Sequence, residues 1–333
     1  MLTTPDVSIL ENKEVLITGG CGFIGSEIVK QLSKIGANVT IIDNLSSGKK
    51  KYIEGFPNVN LITADVLDDD AIKKVVKDKE YIINNVAMPF IPDSYYVPKK
   101  FFDINVNATI SLALEAIKGK KVKRFTHISS SEIYGSARTV PMDENHITSP
   151  QSTYAVSKLA GERVVFTMHK EHNLPAVIIR PFNSFGPNIT QPYIIPEIIT
   201  QIMNGDVIKL GNINAKRDLT YVSDTARGII LSLVKEGIVG EVINVGSQKA
   251  YSIRELVELI SEIMGKKVSI EIDQTRFRPF DVETLICNFD RAQKLLNWKP
   301  EISIKEGLKR TIEWSQKESL DIGVPFNERY EME

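Results

Sequence analysis

Tyr154 and Lys158 stand four residues apart in Tyr154-Ala-Val-Ser-Lys158. On a helix this spacing puts phenol and ammonium on one face, about one turn from each other. The cation is expected to lower the phenol's pKa, and a phenolate near neutral pH can take a proton from a sugar or alcohol hydroxyl while a hydride leaves the same carbon. Ser130, at the end of the apolar run Arg124–Ser130, is placed to share that hydrogen bond. Helices make Y-x-x-x-K pairs constantly, so the reading depends on a hydride acceptor being bound elsewhere in the chain.

Thr18-Gly-Gly-Cys-Gly-Phe-Ile-Gly25 supplies that site. It satisfies G-x-G-x-x-G through Gly20, Gly22 and Gly25, and G-x-x-G-x-x-G through Gly19, Gly22 and Gly25, directly between an apolar strand and a helix read from Ile24, with Phe23 and Ile24 expected beside the dinucleotide. Such a turn lets a pyrophosphate sit on the helix N-terminus, where free N–H groups and the dipole favour anions. Asp43 ends the next strand, 18 residues beyond Gly25. A carboxylate there accepts from the adenosine ribose hydroxyls and repels a 2′-phosphate, which selects NAD over NADP. Asn44 follows it. Asp65-Val66, after the third strand, is placed either to touch the adenine or to close a surface turn, and Ala87 follows the fourth strand.

These residues need a scaffold, and the apolar runs provide one. Glu14–Thr18, Asn38–Asp43, Val59–Asp65, Tyr81–Ala87, Arg124–Ser130 and Ala176–Pro181 read as buried strands. Helices over Ile24–Ile35, Asp69–Val76, Pro98–Lys118 and Ser152–Glu171 alternate with them. This is an α/β, doubly wound parallel sheet of the Rossmann type over residues 1–181. Beyond Pro181 the alternation loosens, with helices expected at Pro196–Asn204, Asp224–Lys235, Ile253–Met264 and Ile304–Lys317. Residues 182–333 read mainly as a smaller substrate-binding α/β domain, with strand-like Glu241–Val245 returning to the main sheet.

The composition agrees with a folded enzyme-sized chain. Of 333 residues, 42% are hydrophobic and 25% charged, with a net charge of −1, which leaves no nucleic-acid or membrane footprint. The densest basic stretch, Lys118–Arg124, reads as a solvated helix end and loop. Cys21 and Cys287 lie 266 positions apart, too few for a disulfide framework or a zinc site. His169 and His172 share a helix face without a third ligand, so no metal is expected; both read as solvent-exposed. His127 reads as a satisfied core residue and His146 as a loop residue. No run approaches the roughly 18 apolar residues of a membrane span, and the leader lacks a signal core, so the expected location is cytoplasmic.

The motifs TGGCGFIG, DNLSSG, SSSEIYG, YAVSK, RPFNSFGP and RDLTYVSD occur in the order seen in extended short-chain dehydrogenases/reductases, and the chain resembles their nucleotide-sugar epimerases/dehydratases over residues 13–317. The resemblance implies Ser130, Tyr154 and Lys158 as an oxidation triad, Asn105 beside the NAD, and Asn183, Arg217 and Arg278 on the phosphates of a sugar nucleotide. Guanidinium forks suit such oxygens, although a surface ion pair would explain either arginine as well. Ser94 and Tyr95 either line the sugar pocket or serve their loop. The resemblance further implies a homodimer through a four-helix bundle made by the helix after Asn105 and the helix carrying Tyr154. Burial within one monomer would leave the same apolar pattern.

Members of this group begin alike, by oxidising C4 of the hexose. Glu132 follows the triad serine by two, as does the C5 base of the family's 4,6-dehydratases, whereas most simple 4-epimerases lack an acid there. Ser131 stands where the best-known dehydratases carry Asp, so the acid for the leaving hydroxyl is Ser131, a water or another residue. The expected activity is an NAD-dependent nucleotide-sugar 4,6-dehydratase, with similarity to those acting on N-acetylhexosamine nucleotides. The alternatives are a 4-epimerase, a C4 dehydrogenase, a UDP-glucuronate decarboxylase and a non-catalytic sugar-nucleotide sensor.

Overall fold

The computed structural model describes residues 7–277 and 282–318. Strand β1 (Glu14–Thr18) runs into α1 (Phe23–Ile35), which Gly36 closes in the left-handed conformation, φ +88°. Then follow β2 (Asn38–Asp43), β3 (Val59–Thr63), α2 (Asp69–Val76) and β4 (Tyr81–Asn84). The helix expected over Pro98–Lys118 is broken into α3 (Pro98–Phe102), a π turn at Asp103–Asn107 and α4 (Ala108–Gly119). Next come β5 (Arg124–Ile128) and α5 (Thr153–His172). Ser152 caps α5 by accepting from the Ala155 N–H, and β6 (Ala176–Pro181) follows.

The remaining chain forms β7 (Asn183–Phe185), α6 (Ile194–Asn204), β8 (Val207–Leu210), β9 (Lys216–Tyr221), α7 (Val222–Val234), β10 (Val242–Val245), β11 (Ala250–Ser252), α8 (Ile253–Met264), β12 (Ser269–Ile272), β13 (Thr284–Leu285), α9 (Asp290–Leu296) and α10 (Ile304–Lys317).

Seven strands make one sheet in the order β10-β6-β5-β4-β1-β2-β3, and each neighbouring pair in it is parallel. From β1 the chain winds to β2 and β3 on one side, then crosses to β4, β5 and β6 on the other. The crevice at this reversal, beyond the carboxyl ends of the strands, is where such sheets take ligands.

One hydrophobic cluster lies between α1, α7 and the sheet, and another under α2, α4 and α5. Residues of α7, β10 and α9 share the first cluster with β1 and β2, so the C-terminal part of the chain builds much of the sheet's own core. A third cluster packs α6, α8 and α10 over β8 and β9. There β9 pairs with β7, β11 and β13, and β8 pairs with β12. No helix among the described residues is long and apolar enough to cross a membrane.

The basic stretch Lys118–Arg124 divides in two. Lys118, Lys121 and Lys123 are exposed and ion-paired, but Arg124 is buried, donating to the carbonyls of Ser232 and Lys235. The solvated reading is corrected at Arg124, whose strand position packs it under α7.

Candidate active site

A cavity of about 320 Å³ opens between the carboxyl ends of β4, β5 and β6 and the lobe carrying α6, β8 and β9. That is large enough for a small organic ligand. Ser130, Ser131, Glu132, Tyr154 and Lys158 all line it, as do Phe23, Ile24 and Ala87 from the nucleotide side. Asn183 and Arg217 line the opposite wall, together with Arg276.

The end of β5 fixes Tyr154 and Lys158. Lys158 Nζ donates to the Ile128 carbonyl at 2.5 Å, and the Ser130 hydroxyl hydrogen-bonds the Tyr154 phenol. Ser130 also accepts from the Glu132 N–H at 3.2 Å, which starts a single 3-10 turn and brings Glu132 round to the cavity. Burial dominates the electrostatics here. It pushes the Tyr154 phenol up to about 12, with Glu132 adding to the rise and Ser130 opposing it. It pushes the Lys158 ammonium down to about 8, and Glu162 opposes that fall. The expected lowering of the phenol by Lys158 is therefore not found in the protein itself, where Lys158 Nζ is turned to the Ile128 carbonyl and the opposing effect comes from Ser130.

The glycine turn fits a dinucleotide. A side chain at Gly25 would lie 2.1 Å from the Gly19 carbonyl oxygen, and Gly19 itself holds φ +69°. Gly22 caps α1 with no side-chain hydrogen bond, so the helix's first N–H groups are not taken by a cap. Asp43 ends β2 with one oxygen accepting from the Cys21 N–H at 2.9 Å and the other from the Leu45 N–H at 2.8 Å. Each carboxylate oxygen keeps a lone pair for a ribose hydroxyl.

The model of the GDP-mannose 4,6 dehydratase family matches residues 16–311. The chain belongs to that family. Within it, a UDP-glucuronate 4-epimerase of Thermodesulfobacterium geofontis is 33% identical over 92% of this chain and 97% of its own. The epimerase Mth375 of Methanothermobacter thermautotrophicus superposes with a TM-score of 0.88 at 32% identity, covering 94% of each chain. DesIV, a dTDP-glucose 4,6-dehydratase of Streptomyces venezuelae solved with NAD bound, superposes with a TM-score of 0.84 at 27% identity, over 91% of this chain and 97% of its own. These extended short-chain dehydrogenase/reductases thus include both epimerases and dehydratases, on the Rossmann fold seen here.

Several family positions sit differently from the expectation. Asn105 is buried behind the cavity. Its side chain accepts from the Met88 N–H at 3.1 Å and donates to Ser157 Oγ at 2.8 Å, so it ties the Ala87–Met88 segment to α5. Ser94 is fully buried and donates to the Ile91 carbonyl; neither it nor Tyr95 lines the cavity, whose wall there is Pro89, Phe90 and Ile91. The five-residue 3-10 turn Ile91–Tyr95 rotates Ser94 inward. Asn44 is spent on Asp65 at 2.8 Å, and the Val66 side chain packs in the core. Arg278 lies outside the described residues.

His127 is buried, but its satisfaction is one-sided. Thr18 Oγ1 accepts from the Asn85 and Val86 N–H groups and so must donate to Asn84 Oδ1. That turns the Asn84 amide nitrogen to His127 Nδ1, and Nε2 has no partner. Burial, with Lys158 nearby, keeps the ring neutral. His169 is half-buried on the Leu174 carbonyl rather than free in solvent, and His172 is exposed. No group of three metal-ligating side chains occurs among the described residues.

Sequence reasoning passed over Arg276 and Tyr193. Arg276 meets Glu197 at 2.8 Å on the cavity rim, and Tyr193 stacks edge-on with Phe90 across it. Arg276 also pairs with Asp273 at 3.4 Å, but the contacts that set these two side chains on the cavity reach 79 and 103 residues along the chain, so no local pattern marks them as lining it.

Proposed function

We propose that the protein is an NAD-dependent nucleotide-sugar 4,6-dehydratase. The observation that carries this reading is the place of Glu132: on the cavity wall, close enough to Tyr154 to raise its pKa, with no described side chain hydrogen-bonding or ion-pairing its carboxylate. The glycine turn, α1 and Asp43 would hold the dinucleotide, and NAD would supply the acceptor for the C4 hydride and its later donor to C6.

Lys158 stabilises the Tyr154 phenolate against the burial that disfavours it, and this oxygen, bonded to Ser130, takes the C4 hydroxyl proton and becomes the neutral phenol. The 4-ketone acidifies C5–H, and Glu132 takes that proton. The C6 hydroxyl departs as water, drawing its proton from Ser131 or a bound water, a loss made good through solvent by the proton that Tyr154 took from C4–OH, and Glu132 returns its proton to C5 as C6 is reduced. Asn183 and Arg217, with Arg278, hold the diphosphate through their N–H groups; Asn183 Oδ1, an acceptor buried without a partner, is left for a hydroxyl of the ligand.

The names of several relatives favour a second reading, a 4-epimerase, in which the 4-ketone turns over and C5–H is never broken. Mass spectrometry of the protein with NAD and a panel of UDP-, GDP-, CDP- and dTDP-hexoses and N-acetylhexosamines separates the two. Loss of one water from a substrate, abolished by Glu132→Gln, is the expected result. An isomer of unchanged mass, formed equally well by Glu132→Gln, overturns it.

The same reading pairs two copies through α4 and α5, where Leu114 and Val156 are exposed. Light scattering at micromolar concentration should give a dimer; a monomer refutes the pairing.

A further inference from the structure

Glu162 lies on α5 one turn beyond Lys158 and two beyond Tyr154, and it is fully buried. Arg180 on β6 grips its carboxylate with one edge of the guanidinium, Nε to Oε2 at 3.0 Å and Nη2 to Oε1 at 2.6 Å. The Ser129 hydroxyl donates to Oε2 at 2.7 Å. Three consecutive residues at the end of β5 therefore each hold one rung of an i, i+4, i+8 ladder. Ser130 holds the Tyr154 phenol, Ile128 the Lys158 ammonium and Ser129 the Glu162 carboxylate.

Glu162 acts on Lys158 along this ladder. The charged and titratable groups around the ammonium come from several elements: Tyr154 and Glu162 on α5, His127 on β5, and Glu132 on the turn that follows. Behind Glu162 stand Arg180 on β6, then Tyr134, Glu144 and Arg291. His127 is neutral, and Glu132 acts on Tyr154. Glu162 is the carboxylate that favours the charged lysine against the cost of burial. A buried pair between Glu162 and Arg180 alone would be weak evidence of anything beyond architecture. The added bond from Ser129, in step with the two catalytic rungs, points to a role in the reaction centre.

We propose that Glu162 is a positioning residue: clamped by Arg180 and Ser129, it keeps Lys158 charged and aligned behind Tyr154. The proposal rests on the reading of Lys158 as the charged partner of Tyr154. It assigns a task to the third member of Tyr154, Lys158 and Glu162, whose even spacing of four is visible in the sequence.

The test is the titration of Lys158 in protein carrying 13Cε-labelled lysine, its signal assigned by loss in Lys158→Met, with the pH profile of kcat measured alongside. Two variants are compared with the wild type: Glu162→Gln, and Glu162→Gln combined with Arg180→Gln, which leaves no unpaired buried charge. The Lys158 midpoint should fall by about one pH unit in Glu162→Gln and by less, in the same direction, in the double variant. The basic limb of kcat should move with it while KM holds. If Glu162→Gln does not fold, the double variant decides. A midpoint at the wild-type pH in a folded variant overturns the proposal, and so does failure of both variants to fold, which would make Glu162 an architectural ion pair. A midpoint that moves without the kcat limb would uphold the hold on Lys158 and sink the catalytic reading of Lys158 instead.

Discussion

Between β5 and α5, Tyr154 and Lys158 are held by residues from a single strand end, within hydrogen-bonding distance of Ile128 and Ser130. Across the cavity, Asn183, Tyr193, Asn212, Arg217 and Arg276 come from separate stretches of chain, on β7, before α6, after β8, on β9 and before β13. The first wall is built from one register between a strand and a helix, so its geometry changes only as a whole. The second is assembled piece by piece, and any one piece can be altered without moving the rest. The family's spread of reactions and substrates over one fold is what such a division allows.

Three experiments press on that division. The largest effect is expected for Tyr154→Phe, which removes the proposed C4 base and leaves the packing against Phe101 in place. Turnover should fall about 10²–10⁴-fold with an unchanged melting temperature. A variant that retains turnover would remove the chemistry from the β5–α5 wall.

Next comes the cost of that wall. Lys158 titrates near 8 in the folded chain against 10.5 in its ordinary state. Between these values the unfolded chain binds the extra proton, so stability rises with pH there. Urea unfolding should show the wild type gaining on Lys158→Met by on the order of 3 kcal/mol as pH climbs across this window. A difference flat with pH would show that burial does not strain the lysine.

The smallest effect belongs to the facing wall. Arg217, propped by the Val282 carbonyl at 2.6 Å, should act in binding. Arg217→Ala is expected to raise KM about 10–100-fold and leave kcat within about threefold, which steady-state kinetics would show. A fall in kcat instead would mean that the two walls do not divide the work.

The same contrast explains what the sequence reveals. TGGCGFIG and YAVSK are legible because each sits within one strand-to-helix turn or one helix, where spacing alone fixes geometry. The helices Ile253–Met264 and Ile304–Lys317 fall where their periodicity puts them. Strands β7, β11 and β13 have three, three and two residues, too short to show alternation, and they exist because β9 offers them a partner. Asn105 lies in a recognisable position, but the π turn directs its side chain to Ser157 and Met88. Arg124 hides in a run of solvated lysines, and Glu162 finds partners 18 and 33 residues away.

The shared core of α7, β10 and α9 with β1 and β2 bears on how this enzyme could be recombined. The chain leaves the main sheet after β6, returns for α7 and β10, leaves again for β11 to β13, and returns for α9. A single splice at residue 182 would therefore carry off one edge strand of the seven and the helix that packs on α1. Exchanging substrate preference with a relative calls for several short grafts, each begun and ended where the chain crosses between layers.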